Sequence, residues 1–425
     1  MNKNIIKKLL VNSGLWFIKG EIKYHKYHKH NRKLENEIRN KKTKTIVFFA
    51  CNLPMWHYND LYKALLSFKE VSAYIVLSPI NSYTSEQKTE DLKLLREYFD
   101  AQGLSYIDFD LNNSGQHKLP AGIIPDVCFY PQPYDNLLIK GHNFTDFPNS
   151  LLAHYPYGFW MEDRVYAYNQ PFHNIAWRLY YETKYHAESA RNNCYYRDRN
   201  VVVTGYPNAD IFTQGNFKDP WRQQSNLKKR VIWAPHYSIL PGVENVSNFL
   251  WMANLMLEIA NKYKDRIQFA FKPHPRLKTE LYKHPEWGKE KTDWYYDQWL
   301  TRENLQLETG AFIDLFMTSD AMVHDSGSFC VEYLYTHKPV MYVYKKDSGF
   351  YNSLSKFGKK VLDLHYPGYT KTDIEIFIEE TVVGLNDPRK NGREEFLNNT
   401  LLPPNGKTVL QNTLDDLLTS LNIRN

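Results

Sequence analysis

Past residue 44 the chain alternates short apolar runs with longer stretches of helical spacing. The runs Ile46 to Cys51, Ala73 to Leu77, Ser105 to Phe109 and Asp126 to Tyr130 form one series. A second starts at Arg230, with Val231 to Ala234, Ile267 to Lys272, Ala321 to His324 and Val340 to Tyr344. Near-continuous apolar strands interleaved with helices predict parallel sheets covered on both faces. Between them, Val246, Phe249, Leu250, Ala253, Leu257 and Ala260 are spaced for one buried helix face. The expected architecture is α/β, with two Rossmann-like domains, 45–213 and 230–367, facing a central cleft. The polar, turn-rich stretch 214–229 reads as the linker between them. Residues 368–425 read as helices, clearest over Asp373 to Leu385 and Thr408 to Leu421, and are expected to pack back on the first domain.

Before residue 45 the pattern is different. Ile5, Ile6, Leu9, Leu10, Trp16 and Phe17 stand at roughly helical spacing among Lys3, Lys7, Lys8 and Lys19, and a basic run from Lys23 to Lys44 follows. A basic helix with a Trp/Phe/Leu face suits an anionic membrane, where each Lys or Arg adds about 1 kcal/mol near the surface. The alternative is a helix docked on the protein's own body, followed by a solvated linker. Residues 1–44 hold thirteen of the 53 Lys and Arg but three of the 47 acidic residues, leaving 40 against 44 elsewhere. The net charge of +6 thus belongs to this segment, and the body is slightly acidic. A nucleic-acid partner is not expected, because phosphate-tracking proteins spread positive charge over a folded groove.

A chain of 425 residues exceeds what one core fills, consistent with two domains. Aromatic residues reach 15%, with 32 tyrosines, a composition suited to polar or glycan ligands, although most tyrosines are expected on half-buried strand faces. Cys51, Cys128, Cys194 and Cys330 are scattered without a CxxC pair, so neither a disulfide framework nor a zinc site is suggested. No apolar run approaches the ~20 residues of a membrane span, and no secretory signal opens the chain. A cytoplasmic protein, peripheral at the inner face of the membrane, is expected.

Candidate chemistry gathers at strand ends. Phe271-Lys272-Pro273-His274-Pro275 follows the strand that begins at Ile267. The prolines fix the backbone around His274, and Lys272 and Arg276 favour an anion. Ser319-Asp320, then Asp325-Ser326-Gly327-Ser328 and Glu332, run from a strand into a helix start, where N–H groups, hydroxyls and a glycine suit phosphate. Helix capping by the serines is an equally simple role for them. Leu151 to His154 empties into Tyr155-Pro156-Tyr157-Gly158, which makes His154 a candidate base for an acceptor hydroxyl. Gly205-Tyr206-Pro207 and Ala234-Pro235-His236 read as walls of the same cleft. No carboxylate cluster has metal-ligand spacing. No tightly bound cofactor is expected, and Asp320 with Asp325 leave a transient divalent ion open.

In this order the motifs resemble the CDP-glycerol glycerophosphotransferase family, over roughly residues 150–345. Gly205-Tyr206-Pro207, Ala234-Pro235 and Lys272 to Pro275 match its Gly-Tyr-Pro, Ala-Pro and Lys-Pro-His-Pro segments. Asp325-Ser326-Gly327-Ser328 stands where the family has Asp-Tyr-Ser-Ser, His236-Tyr237-Ser238 where it has Thr-Trp-Arg, and Tyr155 to Gly158 where Gly-Thr follows the histidine. The resemblance implies a GT-B fold and transfer of a polyol phosphate from a CDP-activated donor to a surface-glycan or lipid-linked teichoic-acid-like acceptor. It also implies His154 as base, His274 on the donor pyrophosphate, and Ser326, Gly327 and Ser328 as a phosphate cradle. Lys272, Arg276, Asp325, Glu332, Pro235 and His236 complete the expected donor site, and Tyr157, Gly158 and Tyr206 the acceptor side. Two other readings fit the same sequence: a GT-B glycosyltransferase using a nucleotide sugar in capsule synthesis, and a noncatalytic glycan-binding scaffold.

Overall fold

The computed structural model describes residues 15–109, 117–162, 165–213, 215–240, 246–346 and 349–424. Ile5, Ile6, Leu9 and Leu10 of the expected membrane face lie outside the described residues. The chain divides into two compact units, Met1–Asp210 with Leu401–Asn425, and Ile211–Thr400.

The first unit holds seven strands, β1 (Lys44–Ala50), β2 (Val71–Leu77), β3 (Tyr106–Ile107), β4 (Val127–Tyr130), β5 (Leu151–His154), β6 (Arg178–Tyr181) and β7 (Val201–Val203). They form a parallel sheet in the order β3-β2-β1-β4-β5-β6-β7. The second unit holds β8 (Lys229–Ala234), β9 (Ile267–Phe271), β10 (Leu305–Leu307), β11 (Ala321–His324), β12 (Val340–Val343) and β13 (Tyr366–Gly368), also parallel, in the order β10-β9-β8-β11-β12-β13. Each sheet winds outward one way and then reverses, the Rossmann order, so each has a switch point, between β1 and β4 and between β8 and β11. The two-Rossmann expectation is borne out. Strands β4, β5, β9, β11 and β12 are buried along their whole length, which is why they read as unbroken apolar runs.

The core of the second unit is aromatic. Trp233 stacks on Phe249 at 5.7 Å and on Phe271 at 4.9 Å between ring centroids, and Phe271 lies 5.0 Å from Trp299. Trp233 and Phe271 are paired residues of β8 and β9, so this stack fixes the two strands just before they reach their loops. The helix Phe249–Lys262 covers it, with Met252, Ala253, Met256, Ile259 and Ala260 buried. Leu250, expected on that buried face, is exposed, because the face that packs begins at Phe249 and Met252.

The helix Leu15–Arg39 continues through most of the basic run expected behind it. Tyr24, His28, Leu34 and Ile38 are buried along one face. Asn31 donates to the Ile175 carbonyl at 2.7 Å, Trp177 to Glu35 at 3.1 Å and Arg39 to the Ser420 carbonyl at 2.9 Å. Toward its start, Gly20 packs against Tyr195 and the Arg197 guanidinium sits 4.1 Å over the Phe17 ring, so the helix is docked on its own unit from Phe17 onward.

The stretch 215–229 is packed into the second unit. Trp221 is buried and donates to the Thr318 hydroxyl at 3.1 Å, and the Arg222 backbone N–H donates to Gln306 at 2.8 Å. Ile374, Phe377, Ile378 and Val382 join the second unit's core, whereas the helix Val409–Leu421 belongs to the first unit. There Asp416 accepts from Arg178 and from the Tyr180 hydroxyl, both at 2.9 Å, and Asp210 accepts the backbone N–H groups of Val409 and Leu410 at the helix start.

Gly205 explains why its motif needs glycine. Its φ is +106°, and a Cβ there would stand 2.9 Å from Val409 Cγ2 and 3.1 Å from Pro403. Gly205→Ala is expected to lower stability by about 1–3 kcal/mol through backbone strain and overpacking, measured by chemical denaturation. An unchanged midpoint would contradict this packing.

Candidate active site

The second unit's switch point brings three of the sequence motifs together. β9, β8 and β11 are neighbours, with Trp233 opposite Phe271 and Ala234 opposite His324, so their C-terminal loops emerge side by side. The His274 backbone N–H donates to the Pro235 carbonyl at 3.1 Å, and that of Lys272 to the Trp233 carbonyl at 2.8 Å. Asp325, at the exit of β11, accepts the backbone N–H of His236 at 2.6 Å and of Asn248 at 2.5 Å.

This scaffold gathers His236, Tyr237 and His274. Ring centroids of the two histidines lie 5.3 Å apart, Tyr237 lies 4.5 Å from His274, and the Arg276 guanidinium sits 4.1 Å over the Tyr237 ring. The tautomers follow from the hydrogen bonds. His274 Nδ1 accepts the Arg276 backbone N–H at 3.1 Å, and His236 Nδ1 accepts the Ser238 backbone N–H at 3.3 Å. Each ring therefore carries its proton on Nε2, a donor suited to a phosphate oxygen. Burial, helped by the Arg276 charge, pulls His236 down to about 4, so it stays neutral at pH 7.

Other expected donor residues are placed differently. Lys272 is buried and donates to the Gly310 carbonyl at 2.7 Å. Burial lowers its pKa, and the Glu308 carboxylate opposes this. Asp325 is 2% exposed and its carboxylate is engaged with backbone amides, which makes it the organiser of the loops. Burial pushes it up to about 7 against those donors. Ser326 is buried, Ser328 is exposed, and the space above Gly327 is open. The helix after them, Phe329–Glu332, is a single turn that passes into a 3-10 turn, Tyr333–Thr336. The expected dipole is therefore small, and anion binding there rests on local N–H and hydroxyl groups. Glu332 is buried at the end of that turn. Asp320 precedes β11 and Asp325 follows it, about 16 Å apart at the rise of a strand, so they do not share an ion. Asp320 instead accepts from Lys229 and from the Arg230 backbone.

In the first unit His154 ends β5. Its Nδ1–H donates to the Tyr130 carbonyl at 2.8 Å, and burial pulls it down to about 4, leaving a neutral ring whose Nε2 is an acceptor of weakened basicity. Tyr157 is exposed and Gly158 has open space beside it. Tyr206 is buried at 1% exposure and accepts from Asn208, so it is wall rather than contact surface. Two groups here escaped the sequence reading. His57 lies 3.2 Å from Asn208 and 6.3 Å from the Tyr206 ring, and burial pulls it down to about 4. Glu182, just past β6, lies 3.7 Å from His186, whose ring is 5.8 Å from Phe159. Burial pushes Glu182 up to about 8 and His186 down to about 3, so this is a contact of neutral groups. Glu182 has no Pro or Gly beside it, and His57 stands three residues beyond Pro54 in the loop after β1, outside the matched motifs.

Two Rossmann-like units, the second with His236, His274 and Arg276 gathered at its switch point, are the GT-B architecture. The comparisons agree. A structure of the wall teichoic acid polymerase TagF, as a variant, has 12% identity to this chain and a TM-score of 0.56, covering 96% of this chain and 98% of that one. The same polymerase soaked with CDPG has 11% identity, a TM-score of 0.56 and 99% coverage of both chains. The UDP-GlcNAc 2-epimerase of Neisseria meningitidis bound to UDP-GlcNAc has 12% identity, a TM-score of 0.52, and coverage of 89% and 100%. At such identities the likeness establishes the fold. A comparison with curated protein sequences gives no match. The profile described as CDP-glycerol:poly(glycerophosphate) glycerophosphotransferase matches residues 168–381, half of the chain, and the chain belongs to that family. The match includes Gly205 to Pro207, the three loops of the second unit and Glu332; His154 lies outside it.

The neutral Glu182 gives a stability test. An ordinary glutamate titrates near 4.5, so between about pH 4.5 and about pH 8 the folded chain holds a proton that the unfolded chain releases, and stability falls as pH rises. Glu182→Gln removes this slope. Its melting temperature relative to the parent should rise from about pH 5 to about pH 8, equivalent to roughly 2–4 kcal/mol. A pH-independent difference would show that Glu182 is ionised in the fold.

Proposed function

We propose that this glycerophosphotransferase moves glycerol phosphate from CDP-glycerol to a hydroxyl of a cell-surface glycan or teichoic-acid-like acceptor, releasing CMP. The observation that carries the reading is the pair of Nε2–H donors on His236 and His274, with Arg276 beside them, at a Rossmann switch point. Family membership supplies the class of donor.

In this reaction the acceptor oxygen attacks the β-phosphorus of the donor and forms the new P–O bond. The bond from that phosphorus to the bridging oxygen breaks, and CMP leaves with the electron pair. The acceptor proton needs a base, the role that the family resemblance gives to His154, whose Nδ1 proton is held by the Tyr130 carbonyl so that Nε2 is the acceptor nitrogen. His236, His274 and Arg276 offset the phosphate charge, so catalysis is positioning and electrostatics. The test is CMP release from CDP-glycerol with an oligo(glycerol phosphate) primer. His274→Ala and His154→Ala should each lower kcat by about 100-fold or more. Release of UDP from a nucleotide sugar instead would assign sugar transfer, and unchanged turnover in both variants would remove the assigned roles.

The reading also places the chain on an anionic membrane through residues 1–44. Support comes from Ile18 and Ile22, one helical turn apart and 52% and 74% exposed, although Phe17 beside them lies 4.1 Å beneath the Arg197 guanidinium and Gly20 packs against Tyr195 on the unit's own body. No helix among the described residues is long and apolar enough to cross a membrane. A chain beginning at residue 23 keeps Tyr24, His28, Leu34 and Ile38. It should lose most sedimentation with phosphatidylglycerol vesicles; binding equal to that of the full chain would contradict this placement.

A further inference from the structure

Behind the loop that leaves β11, three side chains of the second unit meet out of contact with solvent. His324 is the last residue of β11, Cys330 lies in the helical turn after the loop, and His365 immediately precedes β13. All three are at most 1% exposed, and their Nε2 or Nδ1 and Sγ atoms lie within 4.8 Å of one another.

Hydrogen bonds set the tautomers. His324 Nδ1–H donates to the Ser326 carbonyl at 3.0 Å, and His365 Nδ1–H donates to the Val361 carbonyl at 2.9 Å. Both protons are thereby on Nδ1, and both Nε2 lone pairs are buried with no hydrogen-bond partner. Two buried imidazole acceptors without donors are costly. A backbone carbonyl holding Nδ1–H while Nε2 points at a shared centre is the outer-shell arrangement of metal-binding histidines.

We propose that His324, Cys330 and His365 form a binding site for a thiophilic transition ion, with Zn²⁺ as the ion to test. Two imidazoles and a thiol suit zinc and its neighbours, and the set has no carboxylate to favour Mg²⁺ or Ca²⁺. On binding, the metal–sulfur bond replaces the S–H bond of Cys330, and the proton leaves to solvent. The thiolate charge offsets part of the ion's, which matters because the Arg389 and Arg393 guanidiniums act on His365. His365 also lines a cavity of about 530 Å³ with Tyr344, Lys345 and Tyr369, so solvent comes nearest to the site on the His365 side. The sequence hides this site: no CxxC spacing marks it, and its ligands come from three separate elements. The bound ion would tie the Asp325–Ser328 loop to the segment before β13.

The test uses the full chain produced in medium supplemented with Zn²⁺ or Co²⁺ and then desalted. The expected result is about one ion per chain, with Cys330→Ser and His365→Gln each lowering retention by roughly 10-fold or more. The cobalt form should show a thiolate-to-metal charge-transfer band that Cys330→Ser abolishes. A folded parent that retains no ion, as a water bridging the imidazoles would produce, overturns the proposal. Equal retention in both variants overturns it too. Where a variant does not fold, the cobalt spectrum of the parent decides: without the charge-transfer band the site is not a metal site.

Discussion

The second unit's site depends on one buried carboxylate. Asp325 takes the backbone N–H of His236 and that of Asn248, and Asn248 in turn donates to the Val343 carbonyl at the end of β12. One side chain thus joins the loops after β8 and β11 to the start of the helix Phe249–Lys262. A buried carboxylate without such donors would be expelled or protonated, so the loops and the carboxylate require each other. The position of the His236 ring follows from this, and His274 is held against it by the Pro235 carbonyl.

Beneath that polar layer the aromatic stack of Trp233, Phe249, Phe271 and Trp299 leaves β8 and β9 little freedom. Rigidity below and prolines above let two histidines with defined tautomers present N–H donors without reorganisation, which is what electrostatic catalysis of phosphoryl transfer requires. In the first unit the backbone sets the opposite tautomer: the Tyr130 carbonyl holds the Nδ1 proton of His154 and leaves Nε2 as an acceptor.

What the sequence disclosed follows from how strongly each feature departs from a neutral background. Strands such as Ala321–His324 and Ile267–Phe271 were legible because both their faces are buried, and the Lys272 to Pro275 loop because proline restricts backbone. Arg178–Tyr181, Leu305–Leu307 and Tyr366–Gly368 were not, since strands this short and this polar or aromatic carry no period. Asp325 was legible as a site residue but not as an organiser, because its partners are backbone amides 77 and 89 residues away. His57 and Glu182 acquire meaning only when Asn208 and His186 are placed beside them. The docking of the helix Leu15–Arg39 depends on partners at Ile175, Trp177 and Ser420, which no local pattern shows.

The central claim is that the loops after β8, β9 and β11 bind the donor's diphosphate through His236 and His274. Calorimetric titration of CDP-glycerol into the parent and into His236→Ala and His274→Ala, each with its melting temperature checked, tests it directly. The account predicts saturable binding to the parent, weakened by about 10-fold or more in each variant. Equal affinity in all three folded proteins would contradict it.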